Sequence, residues 1–161
     1  MPLHPSSTPS PVRLSAQGMS VATLPGWEVT IYRRPPLGVE QTFGVLHAAT
    51  VPLPPVRGDY GGGVVENLGP EDIFLALLDF GPQAATQGLF AASGLPGLTP
   101  DMFGPKQLQR VLKGQAGVQR FFHAGGRGFC LYCVIGAYTN RMALTARVNQ
   151  LIGTIHIEVS P

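Results

Sequence analysis

The sequence predicts an α+β protein, a mainly antiparallel sheet of five to six strands with two to three helices packed on it. Three observations between Gly117 and Val159 carry that prediction. Val118 to His123 has strand composition and is followed by Ala124-Gly125-Gly126-Arg127-Gly128, whose glycines suit a tight reversal into Phe129 to Ile135. That second run is short and almost wholly apolar, as in a central strand covered on both faces. Leu144, Val148, Leu151 and Ile152 then fall at helical spacing, with Thr139 as N-cap and Gly153 as C-cap candidates. Thr154 to Glu158 alternates polar and apolar, the pattern of a half-buried strand.

The earlier elements follow in order. Met1 to Gly18 holds four prolines and four serines and reads as a disordered leader over 1–18. A single α+β domain over 19–161 follows. Val21 to Leu24 is a short strand candidate. Leu24-Pro25-Gly26-Trp27 is a turn leading into Trp27 to Arg33, where Trp27, Val29 and Ile31 alternate with polar residues. Phe43 to Val51 is the next strand, closed by prolines. Arg57 to Gly63 is a flexible loop, and Val64 to Leu68 suits one or two helical turns. Pro70, Glu71 and Asp72 have the look of a helix start, yet Gly81-Pro82 stops the run from Ile73 after eight residues. That length favours a buried strand. Gly81 to Asp101 is irregular. Pro105, with Leu108, Val111 and Leu112 as its apolar face, predicts a further helix that ends at Gly114 to Gly117.

The Leu24-Pro25-Gly26-Trp27 turn, the long hairpin, and the late helix followed by a last strand resemble the Mog1/PsbP-like class. The stretch from Trp27 to Val159, with its Gly-Trp turn and Phe129-Cys130-Leu131-Tyr132 strand, is also similar to short uncharacterised bacterial proteins of that general shape. The resemblance implies an α/β/α sandwich around an antiparallel sheet, and a tendency to bind other proteins. It brings no catalytic residues.

The chain has 161 residues, of which only 12% are charged, about half the usual share. Nine arginines and two lysines against nine acids leave a net charge of +2, too small a bias to argue for nucleic acid or an anionic membrane. Lys106, Arg110 and Lys113 share one face of the predicted helix, where a solvated stripe is the simplest account. No apolar run approaches the roughly 20 residues that span a bilayer. The first 18 residues lack the apolar centre of a signal peptide, so the expected location is cytoplasmic, with no membrane partner.

Candidate chemistry is sparse. Cys130 and Cys133 form C-x-x-C, but on a strand they point to opposite faces with Cα atoms ~10 Å apart, too far for a disulfide. With no other cysteine to complete a zinc site, they read as buried, inert thiols. His47, His123 and His156 each lie on a predicted strand and would make a metal or acid–base site only if the sheet brought them together, with Tyr32 or Tyr132 beside them. Asp59, Glu66, Glu71, Asp72 and Asp79 supply carboxylates around the glycine-rich loop and read as element-boundary residues. Gly61 to Gly63 lacks the companions of a phosphate loop, and Arg57-Gly58-Asp59 reads as chance. Ser93 has no assignable base. No catalytic residue, metal or cofactor is expected. The expected function is that of a non-enzymatic module that binds a protein partner or self-associates through exposed loop residues Tyr60, Leu89 and Phe90. The alternative is a small-ligand or metal-dependent enzyme with a histidine-containing site on the sheet.

Overall fold

The computed structural model describes residues 12–36, 38 and 40–159. Among these residues, eight strands form two antiparallel sheets. The larger sheet comprises β3 (Glu28–Arg33), β4 (Gly44–Ala49), β5 (Ile73–Gly81), β6 (Ala116–Ala124) and β7 (Arg127–Ile135), in the order β3-β4-β5-β7-β6. The smaller comprises β1 (Arg13–Ala16), β2 (Met19–Ala22) and β8 (His156–Ile157), in the order β1-β2-β8. One α-helix, α1 (Arg141–Ile152), follows a 3-10 turn at Tyr138–Asn140.

The period of two along the central strands sorts side chains into two cores. Leu131, Cys133 and Ile135 of β7 join Leu46, Ala48, Leu75 and Leu77 on one face. That face is covered by Leu144, Val148 and Leu151 of α1 and by Met19 and Val21 of β2. Cys130, Tyr132 and Val134 face the other way, with Val45, Phe74 and Ala76. Here the cover is made of loops, through Tyr60, Val64, Val65, Leu108 and Leu112. Both faces of β5 and β7 are therefore dry, which is why Ile73 to Phe80 and Phe129 to Ile135 read as unbroken apolar runs.

Turn chemistry behaves as its residues require. Gly125 and Gly126, at φ +59° and +80°, form a two-residue reversal between paired Ala124 and Arg127. Gly26, at φ +81° after Pro25, makes a type II turn closed by the Trp27 N–H on the Leu24 carbonyl.

Several expectations need correction. The expected single sheet of five to six strands is, among the described residues, two sheets of five and three strands. The two to three helices reduce to one α-helix, with short 3-10 turns such as Val65–Asn67 elsewhere. No helix forms after Pro105. Leu108 and Leu112 reach the loop-covered core from irregular backbone, Val111 is 71% exposed, and the Gln109 N–H is taken by the Tyr132 hydroxyl at 2.8 Å. A helix that short gains too little from its own hydrogen bonds to displace those anchors. The disordered leader expected over 1–18 does not hold from Arg13 on, because Arg13–Ala16 is β1, paired to β2 throughout its length. Residues 1–11 lie outside the described residues. α1 begins after Asn140 rather than Thr139, and Asn140 donates its side-chain N–H to the Pro70 carbonyl instead of capping the helix.

Candidate functional site

Two polar clusters interrupt the apolar cores. The first is built on β3 and β4. His47 points to the loop-covered face and is fully buried, edge-on to Tyr32 and Phe74. Its Nε2 donates to the Asp59 carbonyl at 2.7 Å, and its Nδ1 accepts from Arg57 Nε at 2.9 Å. Burial, the largest cause, and then the nearby Arg57 charge lower its pKa to about 4 against the Asp59 carbonyl bond, so the ring is neutral at pH 7. Asp59 accepts from the Tyr32 hydroxyl at 2.8 Å and from Arg34 Nε at 2.7 Å. Burial and then the Asp59 hydrogen bond hold the Tyr32 phenol well above its ordinary range. Arg57 stacks over Tyr32 and donates to the Pro54 carbonyl. The Arg57-Gly58-Asp59 tripeptide is thus a clamp that fastens its loop to the sheet.

The second cluster lies at the far end of β5 and β7, on the face carrying α1 and the small sheet. Asp79 and Arg127 are 2% and 8% exposed. Arg127 Nε lies 3.1 Å from Asp79 Oδ2, a contact between charges whose N–H is not aligned as a hydrogen bond. Nη2 of Arg127 donates to the Gly18 carbonyl, and Asp79 Oδ1 accepts the Gly81 N–H. Burial raises the Asp79 pKa, opposed by the Gly81 N–H and then by Arg127 and Arg34. The pair lines a cleft of about 260 Å³ together with Gln17, Arg33, Gln41 and Thr42. Gln17 is the one described residue other than glycine with a positive φ, +53°. Asn or Gly usually takes that place in a two-residue turn, and a longer side chain costs about 1 kcal/mol there.

The three histidines do not meet. His47 lies on β4, His123 lies on β6 at the opposite side of the large sheet, and His156 is exposed on β8 of the small sheet. His123 Nδ1 donates to the Phe90 carbonyl at 2.7 Å and anchors that loop. Only Tyr32 joins His47; Tyr132 contacts Tyr60 instead. Among the described residues no group of three or more His, Cys, Asp or Glu is placed to hold a metal ion, and no helix is long and apolar enough to cross a membrane.

Cys130 and Cys133 are free, buried and on opposite faces, one in each core. Burial pushes the Cys130 thiol up to about 11 and the Cys133 thiol higher still. Asp72 fixes a turn by accepting the Gly69 N–H and the Thr50 hydroxyl. Glu66 accepts the Gly63 N–H and pairs with Arg110 at 3.0 Å.

The expected exposed trio divides. Leu89 is 62% exposed, Tyr60 is half-buried against Tyr132, and Phe90 is 5% exposed between Phe80 and Phe121. Phe90 is thus a wedge holding the 84–94 loop to the sheet, because its ring finds two aromatic neighbours there. Nothing in the spacing of the sequence singles out Arg127, Arg34 or Gln17. A polar-Gly pair between the short runs Leu14–Ala16 and Met19–Val21 was the available signal for the Gln17–Gly18 turn.

The fold and these clusters define a two-sheet, mainly antiparallel α+β protein with loops clamped onto one sheet face. No family model, no curated protein and no solved structure matches the chain.

Proposed function

We propose that the chain is a non-enzymatic binding module that engages a protein partner or a second copy of itself. The observation that carries this reading is how its reactive groups are used. Both ring nitrogens of His47, both carboxylate oxygens of Asp59 and both thiols are committed to holding loops or filling cores. The loop fixed by His47 and Asp59 presents Val56 to solvent, and loops held by His123 and by the Tyr132 hydroxyl present Leu89 and Val111, 88%, 62% and 71% exposed. A rigid loop loses little conformational entropy on binding, so an apolar side chain it displays contributes more of its burial to affinity.

Sedimentation velocity over a wide concentration range tests the self-associating form. A sedimentation coefficient that rises with concentration, and stays flat in Leu89→Glu, is the expected result. For a protein partner, in-cell crosslinking through a photoreactive residue at position 89 should give a discrete adduct. A monomer at every concentration with no adduct would defeat the reading.

A further inference from the structure

We propose that the cleft between the Gln17–Gly18 turn and the Asp79–Arg127 pair binds a small organic monocarboxylate. This goes beyond capture of a protein partner and does not depend on it.

The charge of the cleft selects the ligand. Its lining holds two arginines, Arg33 and Arg127, and one carboxylate, Asp79, an excess of one positive charge. A monoanion restores neutrality, whereas a doubly charged anion would face Asp79 uncompensated. Arg127 has spare capacity to meet it. Its Nη2 is spent on Gly18 and its Nε is misaligned with Asp79, while Nη1 has no hydrogen-bond partner among the described residues. A buried guanidinium that is only partly satisfied is a ready fork for a planar carboxylate.

Two carboxamides complete the polar side. Neither Gln17 nor Gln41 makes a side-chain hydrogen bond among the described residues, and both line the cleft. Gly44 leaves room for the base of the exposed Gln17 side chain: a Cβ on Gly44 would lie 2.6 Å from the Gln17 Cβ. The left-handed backbone of Gln17 keeps a long polar side chain where a turn ordinarily has a short one. The apolar side is Phe43, packed so closely on Gly81 that a Cβ there would meet its ring at 2.3 Å, together with Pro82. That wall suits the organic part of the ligand.

The test is a titration of the ¹⁵N-labelled protein with sodium benzoate, with benzamide as its neutral shape match and inorganic phosphate as the competing anion. Benzoate should shift the side-chain amides of Gln17 and Gln41 and the backbone amide of Gly44. Benzamide should bind about tenfold more weakly, the ratio one charge-assisted hydrogen bond supplies. Gln17→Gly suits the positive φ and removes the carboxamide, and Arg33→Gln alters an exposed rim residue, so both variants should fold and bind benzoate about tenfold more weakly. Benzoate that leaves these amides unmoved overturns the proposal. So would equal binding of benzamide, tighter binding of phosphate, or undiminished binding by both variants.

Discussion

Arg57 Nε donates to Nδ1 of His47 at 2.9 Å, and this one bond sets the tautomer and the charge of the buried ring. With Nδ1 accepting, the ring proton sits on Nε2, where it meets the Asp59 carbonyl at 2.7 Å. A second proton would turn Nδ1 into a donor facing a guanidinium, inside a fully buried site. The cluster is therefore stable only while His47 is neutral.

This makes His47 a source of acid sensitivity. The folded pKa of His47 is about 4, below its ordinary 6.5. Across that window the unfolded chain binds the extra proton and the folded chain does not. The stabilisation is fully present above pH 6.5 and is lost as pH falls towards 4, by about 3 kcal/mol. His47→Gln keeps a donor for the Asp59 carbonyl but does not titrate. Urea denaturation at both ends of the window should show the wild type losing about 3 kcal/mol more than the variant. Equal losses would mean that His47 is not held neutral.

Reactive thiols are expected only after unfolding. Cys130 and Cys133 are both fully buried, and burial raises both pKa values, Cys130 to about 11. At pH 8 the native protein should give almost no colour with a disulfide exchange reagent, and two equivalents of thiol in denaturant. Rapid native reaction of either one would place it outside the core.

Leu151 should be far more costly to truncate than its neighbour. Leu151 is fully buried in the core between α1 and the large sheet, while Gln150 points to solvent. Leu151→Ala should cost on the order of 2–5 kcal/mol, and Gln150→Ala within about 0.5 kcal/mol, in two-state denaturation. Equal, small losses would detach the helix stripe from the sheet.

That stripe, the hairpin and β5 were legible because period and turn glycines are local properties. The failed helix shows the limit of such patterns. Leu108 and Leu112 lie four apart, and the spacing says only that both are buried; irregular backbone pinned by Gln109 and Tyr132 buries them equally well. β1 was obscured by a proline-rich composition that belongs to its upstream neighbours. The Asp79–Arg127 cleft was beyond the reach of spacing. It arises because β5 pairs with β7 in a register that sets Asp79 opposite Phe129, and because a turn from the other sheet closes over it. His47 was visible as a histidine on a strand, but its meaning came from a loop that folds back onto it.

Gly136 packs directly against the backbone of the 69–72 turn. Gly136 ends β7 and donates its N–H to the Asp72 carbonyl at 2.9 Å. A Cβ on Gly136 would lie 1.7 Å from the Gly69 carbonyl oxygen, an impossible contact with backbone rather than with a movable side chain. The turn cannot step aside freely, because Asp72 holds the Gly69 N–H at 2.8 Å and the Thr50 hydroxyl at 2.9 Å. Gly136→Ala must therefore break that turn or shift the end of β7, at a cost of about 3 kcal/mol. Gly97→Ala is the matched control: nothing lies within 4 Å of its new methyl group, and Gly97 is not among the glycines with positive φ. It should leave stability unchanged or raise it by about 0.5 kcal/mol, through the unfolded chain. Denaturation of both variants under one set of conditions reads the difference. A Gly136→Ala protein as stable as the Gly97→Ala protein would mean that the 69–72 turn does not sit against the end of β7.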